Sequence, residues 1–453
     1  MRFPQIPPDM AKVLADWTKE DADSAWELIF KAQKVGVSDP YLHWEEFRRR
    51  PATEGRSPER SWALIRMARQ TAARKTPFAD TSETVFSYVE TPQIRRRLHE
   101  IDSEARGSLG AAAPLPGAAA PIRYLVKSLI EEPFSSSALE GAATTRADAK
   151  KMIETNARPR TRDDQMILNN YQAMRFVKQH ADEPLSPRLI HEIHEIIVEK
   201  AIDLPEKAGV FRTAADSINV VDERDDEILH TPPEAAQLSK RMDLLCAFAN
   251  GDGDAGEFTH PVIRAIVLHF MLAYDHPYYD GNGRTARALF YWSILRSGYW
   301  LLEYVSISRI FNRAPTRYYR SFLHVETDGA DLTYFIIDQL ETIATALKEL
   351  KSYLQAKSRE IADVELAIEA SALHKRLNHR QLQLINDMAR NPELRFTITA
   401  HEKEARVSRL TARKDLEGLV ELGLASKRRA GRHAEYRAAP ALPSRIAATR
   451  PRP

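Results

Sequence analysis

The chain has 453 residues, room for two or three domains, and its 43% hydrophobic and 28% charged content excludes wholesale disorder. It holds only 17 glycines, where average usage would give roughly 32, which disfavours glycine-rich barrels, sandwiches and collagen-like chains and fits a mainly helical protein. The net charge of +2 conceals a polarity: from Leu373 onward 18 lysines and arginines face 8 acidic residues, and the remainder is acidic. The single cysteine, Cys246, lies in an apolar run and reads as a small core residue, which removes an intrachain disulfide and any cysteine-cluster metal site. No stretch reaches the roughly 18 apolar residues of a membrane span, and no signal-peptide core is present, so a cytoplasmic protein with no membrane partner is expected.

Residues 1–106 read as short helices, among them DSAWELIFKAQ and PERSWALIRMARQ, with no chemistry attached. The Ala/Pro/Gly segment 107–121 reads as a linker. Helical signal is dense from 122 to 355. Thr259 can cap a helix with Pro261 in its first turn and Ile263, Ile266, Val267, Phe270 and Tyr274 on one face. A second helix follows Arg284, with Ala288, Leu289, Trp292 and Leu295 in register. Only 216–233 is strand-like, and reads as a hairpin flap on a helical body. A connecting helix is expected at 356–370. Residues 371–440 then give a helix, a short strand at 397–399, two further helices and a basic hairpin turning at Gly431, the order of a winged helix-turn-helix. The tail 441–453 reads as disordered. The predicted fold is therefore mainly α, with a β-hairpin flap and an appended winged helix.

The informative run is His276-Pro277-Tyr278-Tyr279-Asp280-Gly281-Asn282-Gly283-Arg284-Thr285-Ala286-Arg287. Between two predicted helices, Gly281 to Arg284 become a loop opening the second, whose free N–H groups make an anion cradle. Arg284 and Arg287, three apart, can both face a polyphosphate. Asp280 is a hard oxygen ligand suited to Mg²⁺. His276 is the one group in the run able to take a proton near neutral pH. The glycines also fit a degenerate dinucleotide pattern, but no strand precedes them. Together these are the parts for attack of a hydroxyl on a nucleotide phosphate.

This run resembles the signature of the Fic family, His-x-Phe-x-Asp/Glu-Gly-Asn-Gly-Arg-x-x-Arg, with Tyr278 at the Phe position, so that its hydroxyl needs a partner or solvent. The resemblance implies a helical core and transfer of AMP from ATP to a Tyr, Thr or Ser hydroxyl of a protein; the chain as its own substrate is an open partner call. It implies His276 as general base, Asp280 as the Mg²⁺ ligand, and Gly281, Asn282 and Gly283 as anion hole, with Arg284 on phosphate, Arg287 on the γ-phosphate and Thr285 within the nucleotide-binding run. By the same resemblance Ser217, Ile218 and Asn219 belong to a flap segment (216–221) that pairs with an extended target, and Tyr319 and Glu326 align near the adenine. Ser135-Ser136-Ser137-Ala138-Leu139-Glu140-Gly141 resembles the family's inhibitory motif, with Ser136 and Glu140 at its key places. Glu140 is then expected to pair with Arg287 and put the α-phosphate out of line; de-AMPylation stays open.

The C-terminal unit carries Arg406, Arg409, Arg413 and Lys414 around its expected recognition helix and Lys427, Arg428, Arg429 and Arg432 on its wing. DNA binding and protein docking both suit that charge, and a homodimer is a further open partner call. Two other functions stand beside AMP transfer: transfer of UMP, phosphocholine or phosphate on the same scaffold, and a DNA-binding regulator whose core only senses nucleotide.

Overall fold

The computed structural model describes residues 3–23, 40–50, 57–106, 129–222, 226–252, 258–369, 376–390, 394–430, 433–440 and 442–447. They divide into two compact units, the described residues up to Leu350 and those from Lys351 onward. The expected linker at 107–121, nearly all of the expected helix DSAWELIFKAQ, the wing residues Gly431 and Arg432 and the end of the tail lie outside the described residues.

Hydropathy sets the centre of the first unit. Pro261–Asp275 is apolar nearly all round and so must be surrounded by other elements; Val262, Ile263, Ile266, Val267, Phe270 and Met271 are fully buried. Its cap is not the expected Thr259. His260 Nδ1 accepts the Val262 N–H at 3.3 Å, with Pro261 following. The helix packs on Asn282–Arg296, against which Arg162–Gln179 and Pro187–Val198 also lie, and Glu131–Leu139 covers Arg162–Gln179.

Among the described residues two antiparallel hairpins interrupt the helices of this unit. The expected flap is shorter than 216–233: Val220–Asp222 pairs with Glu227–His230. Before it, Ala214–Asp216 is a 3-10 turn in which Thr213 and Asp216 cap each other and Lys207 pairs with Asp216, so these polar groups are satisfied locally and no strand forms. The other hairpin, Arg74–Ala79 with Val85–Tyr88, sits in the region read from sequence as helical only. Asp80 makes its turn, Oδ1 accepting the Ser82 and Thr84 N–H groups at 2.8 Å. The second strand continues onto the chain before the long helix, with Leu332 N–H donating to Ser87 O at 2.8 Å. Tyr41, Arg66 and Arg69 close on the same corner through Asp331, Asp328 and Tyr334. Thr333–Glu369 is one continuous helix of 37 residues, with no break near 355.

In the second unit the helices His379–Arg390, Ile398–Ala405 and Arg409–Glu421 precede the antiparallel pair Ala425–Ala430 and His433–Ala438. Leu384, Ile385, Met388, Leu416, Leu419 and Tyr436 form its core. Asp415 ties the helices together, accepting from Arg380 Nε at 2.7 Å and Asn378 Nδ2 at 2.9 Å and facing His401 Nε2 at 3.2 Å. The expected strand at 397–399 is replaced by a helix start: Thr397 caps it through the Ala400 N–H, and only Phe396 bridges Tyr436. The tail also departs from expectation. Leu442–Ala447 is helical because Leu442 and Ile446 bury in this core. Among the described residues no helix is long and apolar enough to cross a membrane.

Candidate active site

The helix Pro261–Asp275 ends at His276, which turns left-handed at φ 45° while its N–H still bonds Leu272 O at 3.0 Å. A non-glycine residue there is strained and needs outside support. Arg212 supplies it. Its Nε donates to His276 O at 2.8 Å and its Nη2 to Asp275 O at 3.3 Å and to Pro233 O, while its backbone N–H meets Pro277 O at 2.8 Å. The His276 ring then faces Ala273 O through Nδ1 at 3.2 Å. A proton on Nδ1 leaves the Nε2 lone pair free, and His276 lines the cavity. Burial, foremost, holds the imidazole down at about 4, so it is neutral at pH 7.

The following loop is closed by its own side chains. Asn282 bonds both backbone groups of Tyr278, receiving the N–H at 2.9 Å and donating to the carbonyl at 2.8 Å. Thr285 Oγ1 donates to Gly281 O at 2.9 Å. The side chains of Asn282 and Thr285 are thus spent on the loop. Gly281 sits at φ 80°, and a Cβ there would meet Val198 Cγ1 at 2.8 Å. Tyr278 is fully buried, stacks on His194 at 3.6 Å, and its hydroxyl finds a partner in His191 Nδ1 at 3.1 Å. His194 accepts the Gly209 N–H at 3.0 Å through Nδ1, so its Nε2–H donates to Asp280 O at 2.8 Å. Burial keeps it neutral as well, at about 4.

Asp280 Oδ1 accepts from the Gly281 N–H at 2.5 Å and lies 3.3 Å from Arg284 Nη2. Its other oxygen has Arg162 Nη2 3.9 Å away. One carboxylate oxygen open to a cavity, completed by phosphate oxygens and water, is a donor set that Mg²⁺ accepts. The residues present therefore fit that ion.

Arg287 is buried against the helix Glu131–Leu139. Nε donates to Ser136 Oγ at 2.8 Å, and Nη2 to Ser136 O at 3.1 Å and Glu140 Oε1 at 2.7 Å. Burial alone would push this guanidinium down, but the Glu140 carboxylate beside it raises it. Gly283 makes the pairing possible, since a Cβ there would lie 2.3 Å from Glu140 Oε1. The helix is itself held in place: Glu132 accepts from Ser306 Oγ at 2.8 Å and Ser308 N–H at 3.1 Å, and Asn312 Nδ2 donates to Ser135 O at 2.7 Å.

His276, Asp280, Gly283, Arg284, Arg287 and Glu140 share a cavity of about 900 Å³ with Tyr319 and Glu326. Gly281, Asn282 and Thr285 form the loop behind its lining. Ser217, Ile218 and Asn219 are not among the residues lining it; Val220, Val221 and Asp222 of the first flap strand and Leu229 and His230 of the second are. Glu326 has one oxygen taken, 2.7 Å from His230 Nδ1, and His230 Nε2 lies 2.7 Å from Tyr274 O. Desolvation would lower this imidazole, but Glu326 outweighs it and raises it, favouring a cation that ties flap and helix end together. Sequence reasoning missed His230, Arg212, His194 and Arg162, since each stands alone in sequence with no local pattern. Among the described residues, His43, Glu45 and His324 also cluster. His43 Nδ1 accepts the Glu45 N–H at 3.3 Å, its Nε2 faces Thr327 Oγ1 at 3.2 Å, and Glu45 pairs with Arg320, so two of the three groups are already used, while His324 stacks on the His43 ring.

Comparison with known proteins gives three findings. Residues 184–294 match the model of the Fic/DOC family. The protein adenylyltransferase Fic of Nematostella vectensis is 27% identical over 192 residues, covering 41% of this chain and 42% of that protein, and the one of Drosophila grimshawi is 28% identical over 210 residues, covering 45% and 40%. The chain thus matches about two fifths of the length of these curated relatives. A Fic family protein from Desulfovibrio desulfuricans shares the fold at a TM-score of 0.51 and 19% identity, over 81% of this chain and 98% of that one. The loop closed by Asn282 lies within the matched residues, so the segment 184–294 is similar to the Fic/DOC family where the site is built.

Proposed function

We propose that the protein transfers AMP from ATP to a Tyr, Thr or Ser hydroxyl of a protein and that Glu140 restrains the reaction. One observation carries the reading: a neutral His276 with a free Nε2 shares a cavity with Asp280, Gly283, Arg284 and Arg287. In this account Nε2 takes the proton of the incoming hydroxyl as its oxygen attacks the α-phosphorus. The bond from that phosphorus to the bridging oxygen breaks, and pyrophosphate leaves. N–H groups at the start of Asn282–Arg296 and the Arg284 guanidinium hold the phosphates. Mg²⁺ on Asp280, when bound, would neutralise charge on the phosphate oxygens.

Restraint follows from the donors of Arg287. With Ser136 and Glu140 on Nε and Nη2, the guanidinium has no free fork for a terminal phosphate, and a carboxylate stands where that phosphate would go. ATP bound in another pose loses the in-line geometry. Loss of that pairing in the Glu140→Gly protein should let label in the α-phosphate of ATP stay on protein, while label in the γ-phosphate leaves. Retention of the γ-label would instead indicate phosphate transfer, and incorporation from UTP or CDP-choline but not ATP would indicate the other group transfers.

The C-terminal unit is proposed as a docking surface for duplex DNA or an acidic protein partner. Arg406, Arg409, Arg413 and Lys414 are exposed along the helix Arg409–Glu421 and its approach, and Lys427, Arg428 and Arg429 on the following strand. Filter binding to random duplex across a salt series tests it: retention that falls steeply with salt supports DNA, and weak, salt-insensitive retention supports protein docking.

A further inference from the structure

Arg162 breaks a local rule. It is the first residue of Arg162–Gln179, a position where the helix dipole disfavours a cation and where Asp163 and Asp164 follow in the ordinary sense. Its guanidinium is nevertheless tethered there, Nε donating to Ala201 O at 2.9 Å and Nη1 to Asp203 at 2.8 Å. The tether aims Nη2 at Asp280, 3.9 Å from Oδ2. Arg162 lines the same cavity as Asp280, Gly283, Arg284 and Arg287, and its side chain keeps 49% exposure, so it is open to a ligand. The acids beside it are engaged elsewhere: Asp163 accepts the Ala143 N–H at 2.9 Å, and Asp164 accepts from Thr144 Oγ1 at 2.8 Å. Arg284 serves one oxygen of Asp280 and Arg162 faces the other.

We propose that Arg162 is a third cationic contact for the phosphates of the nucleotide, and the standing counter-ion of Asp280 when no divalent cation is bound. The inference rests on the nucleotide reading above. Two consequences of opposite sign follow. The charge attracts polyphosphate, and it repels a metal ion approaching Oδ2. A purely structural tether would produce neither pattern.

The test uses the full chain in wild-type form and as Arg162→Gln, Arg162→Lys and Asp203→Asn. The last weakens one anchor of the tether by removing the Asp203 charge but leaves the arginine charge. ATP binding is measured by calorimetry in EDTA, and Mn²⁺ binding without nucleotide by electron paramagnetic resonance. Arg162→Gln should bind metal-free ATP roughly tenfold more weakly and Mn²⁺ more tightly. Arg162→Lys should fall between it and wild type, and Asp203→Asn should change both far less. Equal ATP affinity in wild type and Arg162→Gln, or parallel losses in Arg162→Gln and Asp203→Asn, would overturn the inference and leave the nucleotide site standing. A wild-type chain that binds no ATP would overturn the nucleotide reading and this inference with it.

Discussion

The loop and the flap border one cavity but are held in opposite ways. In the loop, Asn282 bonds both backbone groups of Tyr278, Arg212 gathers the carbonyls around His276, and His194 holds the Asp280 carbonyl. These bonds fix the backbone that carries the reacting atoms and leave His276 Nε2 facing the cavity. The flap consists of strands of three and four residues with a register shift between Val220 and Val221. It leaves Val221 43% and Ile228 53% exposed. A short, open, apolar edge of this kind suits strand addition by partners of differing sequence. Chemistry that is the same at every turnover calls for the first kind of construction, and recognition of an extended segment for the second.

Asn282→Ala strikes the loop hardest. It leaves the buried N–H and carbonyl of Tyr278 unpaired, a cost of about 1–3 kcal/mol for each group left unsatisfied, and kcat for label transfer should fall at least tenfold with a lowered Tm. A normal kcat in that variant would show that the loop is not self-closed. Acid should act next. Because His276 is depressed to about 4, the neutral base persists as pH falls through the usual histidine range. The rate should decline only near pH 4, tenfold per unit below it, in a buffer series where folding is monitored by circular dichroism. A decline centred near 6.5 would mean the ring is solvated. Val221→Asp should separate the two regions most clearly: a several-fold rise in KM for the protein target, with ATP affinity unchanged. Equal effects on both would erase the distinction drawn here. Tyr278→Phe is the mildest. It removes one hydrogen bond to half-buried His191, and the loss in urea unfolding should stay near about 1 kcal/mol.

The loop was legible because twelve consecutive residues carry it, and the stretch Ser135–Gly141, proposed above as restraining, is likewise one continuous run. Even the need of the Tyr278 hydroxyl for a partner follows from its burial, although nothing local points to His191. Arg212, His230 and Arg162 reach the site from distant segments, each as a single charged or titratable residue that sequence alone cannot distinguish from a surface one. The flap was legible as a hairpin but was expected to involve Ser217 to Asn219. Local capping by Thr213 and Asp216 delays the strand to Val220. The hairpin at Arg74–Ala79 stayed hidden because Pro77 interrupts its strand pattern and its pairing depends partly on Ala330 and Leu332 far along the chain. In the tail, Leu442 and Ile446 find a core that composition did not reveal.

The central claim is that a finished loop is held back by one carboxylate, Glu140, lying 2.7 Å from Arg287. Its most direct test is incorporation of α-labelled AMP into protein by the wild-type chain and by Glu140→Gly, side by side at equal ATP. The account predicts at least a tenfold rise in the variant, with Arg287 free to take the terminal phosphate. Equal incorporation by the two proteins would contradict it.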